Sequence, residues 1–412
     1  MIRCAVALLN FVYWPIKLFV RQRARVVLIS DMGGAPTRDI AMLAQALRPA
    51  MDAAVIAGRM DRSAGGAAVF AGMLLRQMCA IAGSKAVVLE RYSVAVCALK
   101  HKKGTVVVQL WHAPEAIKKF GWQTVDTPAG HAAGFDRAMR VHRGYDYILC
   151  PADATLPFFE AAFEAPAEKF VKFGLPSLDY IAAVMAAAAT AGTGVEADDL
   201  GDSVGSGILR EALTVRMEIE ARYPALSERP TVVYAPTYRD GRMAKADDLI
   251  AAFDFERFNL VLKMHPLEQA ARAAQRGRSG RRGPESAPRP GQERLIEDRD
   301  FDTIDWYGVC SAVVTDYSGV AVEAAAAGVP SYYYLYDPDD YEQERGLNVD
   351  LRGESIGKYC FEGAEGLMAQ ISADFTDGGY DAAALRAFRD KYIEVPLTGN
   401  TERLAEFIRT IL

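Results

Sequence analysis

A chain of 412 residues with a formal net charge of −6 is long enough for two domains and too acidic for a nucleic-acid partner, which would want a basic domain. Hydrophobic residues make up 51% and charged residues 24%, the balance of a soluble globular protein. The six cysteines, at 4, 79, 97, 150, 310 and 360, form no C-x-x-C pair, which argues against a disulfide framework or zinc cluster and points to a reducing cytosol.

The first element is apolar. "MIRCAVALLNFVYWPIKLFVRQRAR" is interrupted by Asn10, Pro15 and Lys17, so it lacks the ~20 apolar residues of a membrane span, and no small-residue cleavage site follows. Residues 1–24 are read as an amphipathic segment in the membrane interface, with Tyr13 and Trp14 at headgroup depth and Arg21, Arg23 and Arg25 on anionic lipid. The alternative is packing on the protein's own core.

Strand-like runs then alternate with helical ones. "RVVLIS" (25–30) is followed by a Gly33-Gly34 turn and the helical "TRDIAMLAQALRP"; "KAVVLE" (85–90), "GTVVVQL" (104–110) and "YDYILC" (145–150) are further buried strands. This alternation predicts βα units on a parallel sheet over residues 25–185. Residues 186–207 lose periodicity and fill with Ala, Gly and Asp, the composition of a linker. From 208 to 412 the theme returns in "PTVVYAPTYRD", "FNLVLKMHP", "CSAVVTDYSG" and "PSYYYLYD", interrupted by a Gly-, Pro- and Arg-rich insertion at 275–293 expected to be disordered.

Polar residues gather just past the strand ends, where ligands bind in open α/β sheets. "QLWHAPEAIKKFG" puts His112 where a strand stops, with Lys118 and Lys119 following. "APTYRD" offers Thr237 and Arg239, a hydroxyl and a guanidinium suited to an anion, although a surface Arg239–Asp240 pair is the plainer account of that block alone. "LKMHP" places His265 before Pro266, where a lone histidine is more often structural. In "VVTDYSGVAVEAAAAGVP" a strand ends at Thr315-Asp316, Ser318 is a natural N-cap, Gly319 permits close approach of a phosphate, and Glu323 sits one turn on, facing sugar hydroxyls. His131 and His142 are too far apart on one helix to share a metal, and His101 reads as a solvated turn. Asp298-Arg299-Asp300 and Asp337-Pro338-Asp339 match D-x-D, a pattern common in acidic loops. No G-x-G-x-x-G or Walker loop is present, which weakens NAD enzymes and NTPases together.

Taken in order, "QLWHAPEAIKKFG", "GLPSLDYI", "VVYAPTYRD", "LKMHP" and "VVTDYSGVAVEAA…GVPSYYYLYDPDDYEQERGLNVD" resemble the CDP-glycerol:poly(glycerophosphate) glycerophosphotransferases, the teichoic-acid primases and polymerases. The resemblance implies a GT-B fold, two Rossmann-like domains facing a cleft, with an acceptor domain at 25–185 and a CDP-polyol domain at 208–412. It implies that His112 and His265 are the catalytic histidines, and that Lys118, Lys119, Thr237, Arg239, Thr315, Asp316, Ser318, Gly319 and Glu323 bind substrate. Neither a metal nor another cofactor is expected.

The implied partners are CDP-glycerol, an undecaprenyl-diphosphate-linked saccharide acceptor and an anionic membrane surface, with a homo-oligomer admitted. The implied place is the cytoplasmic face of the cell membrane. Three departures stand out. "HGTPLKKLG" becomes "HAPEAIKKFG", "TDYSS" becomes "TDYSG", and "GxPRxD" becomes Gly174-Leu175-Pro176-Ser177-Leu178-Asp179, without its arginine. His112, with an ordinary pKa near ~6.5, is expected to act as general base for an acceptor hydroxyl attacking the β-phosphorus and releasing CMP. A nucleotide-sugar glycosyltransferase, a CDP-ribitol transferase and a silent membrane scaffold are the competing readings.

Overall fold

The structure, a computed structural model, describes residues 2–31, 34–58, 66–190, 204–237, 239, 245–264 and 292–412. The chain forms two units. The first comprises Met1–Asp179, Gln343–Asn348 and Tyr392–Leu412. Its N-terminal part runs α1 (Ile2–Phe19), β1 (Arg23–Ser30), α2 (Arg38–Leu47), β2 (Asp52–Ala57), α3 (Gly66–Gly83), β3 (Ser84–Leu89), α4 (Val94–Cys97), β4 (Val106–Gln109), α5 (Ala133–Met139), β5 (Tyr147–Leu149), α6 (Leu156–Phe163) and β6 (Phe170–Val171). The strands pair in parallel in the order β2-β1-β3-β4-β5-β6.

The β-branched runs are continuous because both sheet faces are covered. Val27, Ile29, Val87 and Leu89 pack on one side with Tyr13, Met78, Phe159 and Phe163. Val26, Leu28, Ala86 and Val88 pack on the other with Ile40, Leu43, Leu404 and Ile408.

The second unit comprises Tyr180–Glu342 and Val349–Lys391. After α7 (Pro176–Ala189) come α8 (Val204–Arg222), β7 (Thr231–Tyr234), α9 (Ala246–Ala252), β8 (Asn259–Leu262), β9 (Leu295–Glu297) and β10 (Ala312–Thr315). Then follow α10 (Val320–Ala327), β11 (Ser331–Tyr334), α11 (Pro338–Glu344), β12 (Cys360–Phe361), α12 (Ala364–Asp377) and α13 (Ala382–Tyr392). The last helix, α14 (Asn400–Thr410), returns to the first unit. The strands of the second unit are also parallel, in the order β12-β11-β10-β7-β8-β9.

The expected linker at 186–207 begins inside α7 and ends inside α8, and residues 191–203 lie outside the described residues. Most of the 275–293 insertion also lies outside them. The C-terminal segment is not confined to the second unit, since Tyr392–Leu412 belongs to the first. Asp179 explains why. Its carboxylate accepts from the backbone N–H groups of Asn400 and Thr401, both at 2.8 Å, and from the Thr401 hydroxyl at 2.7 Å, capping α14. A Cβ on Gly174 would lie 2.4 Å from Asn400 Oδ1, so the glycine of this block permits the close approach.

α1 continues as a helix through Pro15 and has two apolar faces. Leu9, Tyr13, Ile16 and Val20, at helical spacing, pack on the core of the first unit. Leu8, Phe11, Trp14, Leu18 and Phe19 are exposed. Tyr13, expected at headgroup depth, is instead completely buried, because it falls on the inward stripe.

His101, expected in a solvated turn, is a partly buried latch. Its Nε2 donates to the Val96 carbonyl at 2.7 Å, leaving Nδ1 to accept from the Tyr13 hydroxyl at 3.2 Å. Asn10 and Lys17, which break the apolar run, also tie the helix down. Asn10 Nδ2 donates to the Ala98 carbonyl at 3.0 Å, and Lys17 Nζ to the Lys100 carbonyl at 2.6 Å.

Candidate active site

β4 ends at Gln109, and the chain then bends sharply. Trp111 has φ 63°, a left-handed conformation unusual for so bulky a residue, and its N–H donates to Gln109 Oε1 at 2.9 Å. The indole stacks on Phe120 with centroids 4.4 Å apart and lies 4.1 Å from the His112 ring. His112 Nδ1 is 3.3 Å from the Glu90 carbonyl oxygen. A carbonyl only accepts, so Nδ1 carries the proton and Nε2 presents a lone pair.

The Glu90 carboxylate accepts from Ser30 Oγ at 2.7 Å and from Thr37 Oγ1. These bonds tie the carboxyl end of β3 to that of β1 beside His112. Burial, then the positive charge of Arg91, push the imidazole down to about 3. The ordinary value expected from sequence is thereby corrected: the ring is held neutral.

The lysine pair is fixed through its backbone. Lys118 bridges Leu347 in antiparallel fashion, and the Lys119 N–H donates to the Gly346 carbonyl at 3.0 Å. Gln123 Nε2 donates to Asn348 Oδ1 at 2.7 Å, extending the same seam. Gly121, closing the block, has φ 56°, and a Cβ there would lie 2.3 Å from the Ala162 carbonyl oxygen. The charge of Lys118 adds to the forces holding His112 neutral.

In the second unit strand order reverses at β7, with β8 on one side and β10 on the other, the topological switch point where α/β sheets bind ligands. Thr237 follows β7 and Asp316 follows β10. The Thr237 N–H and hydroxyl both donate to Asp316 Oδ1, at 2.8 and 2.6 Å. Thr315 donates its hydroxyl to the Ala235 carbonyl at 2.7 Å.

Arg239 is buried. Its Nε and Nη2 fork onto the two Asp337 oxygens at 3.0 Å each, and Nη2 lies 3.0 Å from Asp316 Oδ2. The rings of Tyr317, Tyr336 and Tyr341 surround the guanidinium at 5.6, 5.4 and 4.4 Å. Arg239 is therefore not half of a surface pair, and Asp240 lies outside the described residues.

Asp337 belongs to a D-x-D that looked incidental in sequence, and the only signal for it was its place at the end of an aromatic strand. The hydroxyls of Tyr234 and Tyr317 and Nη1 of Arg239 are buried without hydrogen-bond partners among the described residues. Such unanswered polar atoms around one switch point leave hydrogen-bonding capacity for a ligand or water.

Ser318 does not act as the N-cap. Gly319 holds that position with helical φ and ψ, so the Ser318 hydroxyl reaches only the Val320 N–H, at 3.4 Å. Ser318 and Gly319 are partly exposed at the start of α10. The Glu323 carboxylate accepts from the Tyr307 hydroxyl at 3.3 Å, an internal contact not foreseen in sequence. His265 lies outside the described residues. Asp298, of the other D-x-D, accepts from Lys263 Nζ at 2.7 Å and from Trp306 Nε1 and the Tyr223 hydroxyl at 3.0 Å each, so it is an internal hub.

The profile of the CDP-Glycerol:Poly(glycerophosphate) glycerophosphotransferases matches residues 13–199 and 208–410. The chain belongs to this family. A teichoic acid ribitol-phosphate primase of Bacillus spizizenii is 25% identical over 374 residues, 88% of this chain and 85% of the relative. A teichoic acid glycerol-phosphate primase of Bacillus subtilis is 20% identical over 345 residues, 82% and 77% of the two chains.

Among solved structures, a variant of the wall teichoic acid polymerase TagF soaked with CDPG superposes with a TM-score of 0.66 at 18% identity, covering 98% of this chain and 93% of that one. The UDP-GlcNAc 2-epimerase of Neisseria meningitidis, bound to UDP-GlcNAc, gives 0.53 at 10% identity, covering 94% and 100%. At these identities the likeness speaks for the fold, which is GT-B. Family membership makes the chain an enzyme of the phosphotransferase class.

Proposed function

We propose that the chain transfers glycerol phosphate from CDP-glycerol to a hydroxyl of an undecaprenyl-diphosphate-linked saccharide, releasing CMP. The observation that carries this reading is the neutral imidazole of His112, with Nδ1–H on the Glu90 carbonyl and a lone pair on Nε2, in a member of the glycerophosphotransferase family. Nε2 takes the acceptor hydroxyl proton as the new O–P bond forms at the β-phosphorus. The bond from that phosphorus to the CMP oxygen breaks, and CMP leaves.

On the donor side, the N–H groups of Ser318 and Gly319 at the start of α10 are assigned to the pyrophosphate. Thr237, Thr315, Asp316 and Arg239 are assigned to positioning, because their polar groups already bond one another or neighbouring backbone. His265 keeps its proposed place as a donor contact, and Lys118, Lys119 and Glu323 theirs as substrate-facing residues.

The exposed apolar face of α1, flanked by Arg21, Arg23 and Arg25, supports docking on an anionic cytoplasmic membrane surface. A second reading, CDP-ribitol as donor, is favoured by the 25% identity with a ribitol-phosphate primase. CMP release measured with CDP-glycerol, CDP-ribitol and UDP-sugars on a lipid-linked disaccharide separates the readings. Turnover with UDP-sugars alone would overturn both.

A further inference from the structure

Leu89 ends β3, and Glu90 and Arg91 follow it. The residue whose carbonyl holds His112 Nδ1 is therefore joined directly to a guanidinium. Gln109, fully buried at the end of β4, ties this pair to the bend that carries His112. Its Nε2 donates to the Arg91 carbonyl at 3.3 Å, and its Oε1 accepts from the Trp111 N–H at 2.9 Å. An amide side chain has both a donor and an acceptor, so one residue fixes the backbone of Arg91 against that of Trp111.

The Arg91 residue is exposed, and it lines the same cavity as His112, about 410 Å³ within the first unit. Among the described residues no hydrogen bond or ion pair engages its guanidinium. Glu90 and Asp31 act on it through space. The Glu90 carboxylate is already held by Ser30 and Thr37, and Asp31 accepts from Gln77 Nε2 at 3.0 Å. Arg345, which lines the cavity too, is engaged by the neighbouring seam, its Nε donating to the Lys119 carbonyl at 3.2 Å. Arg91 thus presents an open fork of N–H donors beside the proposed base.

We propose that Arg91 is a further catalytic residue, contacting the non-bridging oxygens of the phosphate group as it is transferred at His112. The proposal rests on the reading of His112 as the base. A hydroxyl that gives its proton to Nε2 lies within about 3 Å of it, and the phosphorus it attacks comes within about 3.5 Å of that oxygen. The phosphoryl oxygens are thereby brought to the wall that carries Arg91. As the new O–P bond forms and the bond to the CMP oxygen breaks, charge spreads over the non-bridging oxygens. A fixed guanidinium stabilises that charge without forming or breaking a bond itself. Asp31, on the same cavity, would repel a phosphate resting there, so the contact belongs to the transition state.

The test follows CMP release across pH in the full-length protein, with a CDP-polyol donor and a disaccharide on a plain alkyl chain. Arg91→Gln and Arg91→Lys should keep the thermal midpoint, because no partner among the described residues is lost. Arg91→Gln should move the acid limb of kcat upward, since one of the charges that, with Lys118 and His142, holds His112 deprotonated is gone. Above that limb the ring is neutral in both proteins. There Arg91→Gln should still lose about 10²–10³ in kcat with donor affinity nearly kept, and Arg91→Lys should recover part of the loss.

Full plateau activity in Arg91→Gln would overturn the contact and leave Arg91 as a tuner of the imidazole alone. A loss seen with a diphosphate-linked acceptor and not with the plain alkyl disaccharide would move the contact to the acceptor's own phosphates and overturn the assignment. Wild-type turnover with UDP-sugars and with no CDP-polyol would overturn the proposed reaction and the Arg91 contact together. Wild-type turnover with a CDP-polyol keeps the reaction whichever way Arg91 falls.

Discussion

The backbone oxygen of Glu90 lies 3.3 Å from His112 Nδ1, while the carboxylate of the same glutamate is held by Ser30 and Thr37. One residue thus fixes the tautomer of the proposed base through its main chain and braces two strand ends through its side chain. The imidazole is oriented by elements that the fold cannot easily move.

His112→Asn keeps a hydrogen-bonding group of similar size but cannot take a proton. It should lower kcat by about 10²–10⁴ with donor affinity nearly kept, read from initial rates of CMP release and from equilibrium donor binding. Because burial and Arg91 hold the ring at about 3, the base is already deprotonated at neutral pH. The acid limb of kcat/KM should therefore fall well below the usual histidine range. A limb near ~6.5 would show that the ring of the free enzyme is solvated rather than buried.

Buried neutral histidines also set the response of stability to acid. His112 and His142 are both pushed down to about 3, chiefly by burial, against about 6.5 in an unfolded chain. Below about 6.5 the unfolded state binds protons that the folded state refuses. Stability from these groups is full above that value and declines as pH falls toward about 3. Urea unfolding at stepped pH should show that decline, and His142→Gln should flatten it.

Arg239 offers a test of positioning against direct contact. Arg239→Ala leaves the Asp316 and Asp337 carboxylates without the cation they share in a buried site, a loss of about 3–5 kcal/mol. Denaturant unfolding should report it, with donor affinity falling alongside. Arg239→Lys should rescue only part, since an ammonium cannot reproduce the fork onto Asp337. Full stability in the alanine variant would contradict the buried network.

Asp179→Ala should cost at least about 3 kcal/mol, because several charge-assisted bonds to the start of α14 are lost together. Hydrogen exchange should show α14 opening before the sheet it covers. Asp179→Asn, which retains one accepting oxygen, should lose less.

The two faces of α1 predict opposite outcomes. Replacing Phe11, Leu18 and Phe19 by glutamine on the exposed face should release the protein from anionic vesicles with an unchanged thermal midpoint. Tyr13→Ala, on the inward face, should lower stability by about 3 kcal/mol or more and leave vesicle binding of the folded fraction intact. Deleting the helix outright would expose core, so sedimentation with vesicles after point substitution is the cleaner measurement.

The strands and the family are legible in runs of consecutive residues. Val26, Val27, Leu28 and Ile29 are aliphatic at every position, as are Ala312, Val313 and Val314, and all seven are buried. Only a sheet covered on both faces accommodates such runs. The ordered blocks around His112 and Thr315 identify the glycerophosphotransferases. Those signals are local, because each depends on a few neighbouring side chains.

What the motif residues touch is fixed by the fold. Asp316 meets Thr237 across 79 positions, Asp337 meets Arg239 across 98, and Asp179 caps α14 across 221. The fold also turns Tyr13 inward, gives the cap of α10 to Gly319 in place of Ser318, and takes His112 away from its ordinary pKa. Burial, partner and local field are set by residues distant in the chain, and no periodicity or spacing within a segment encodes which distant residue will arrive.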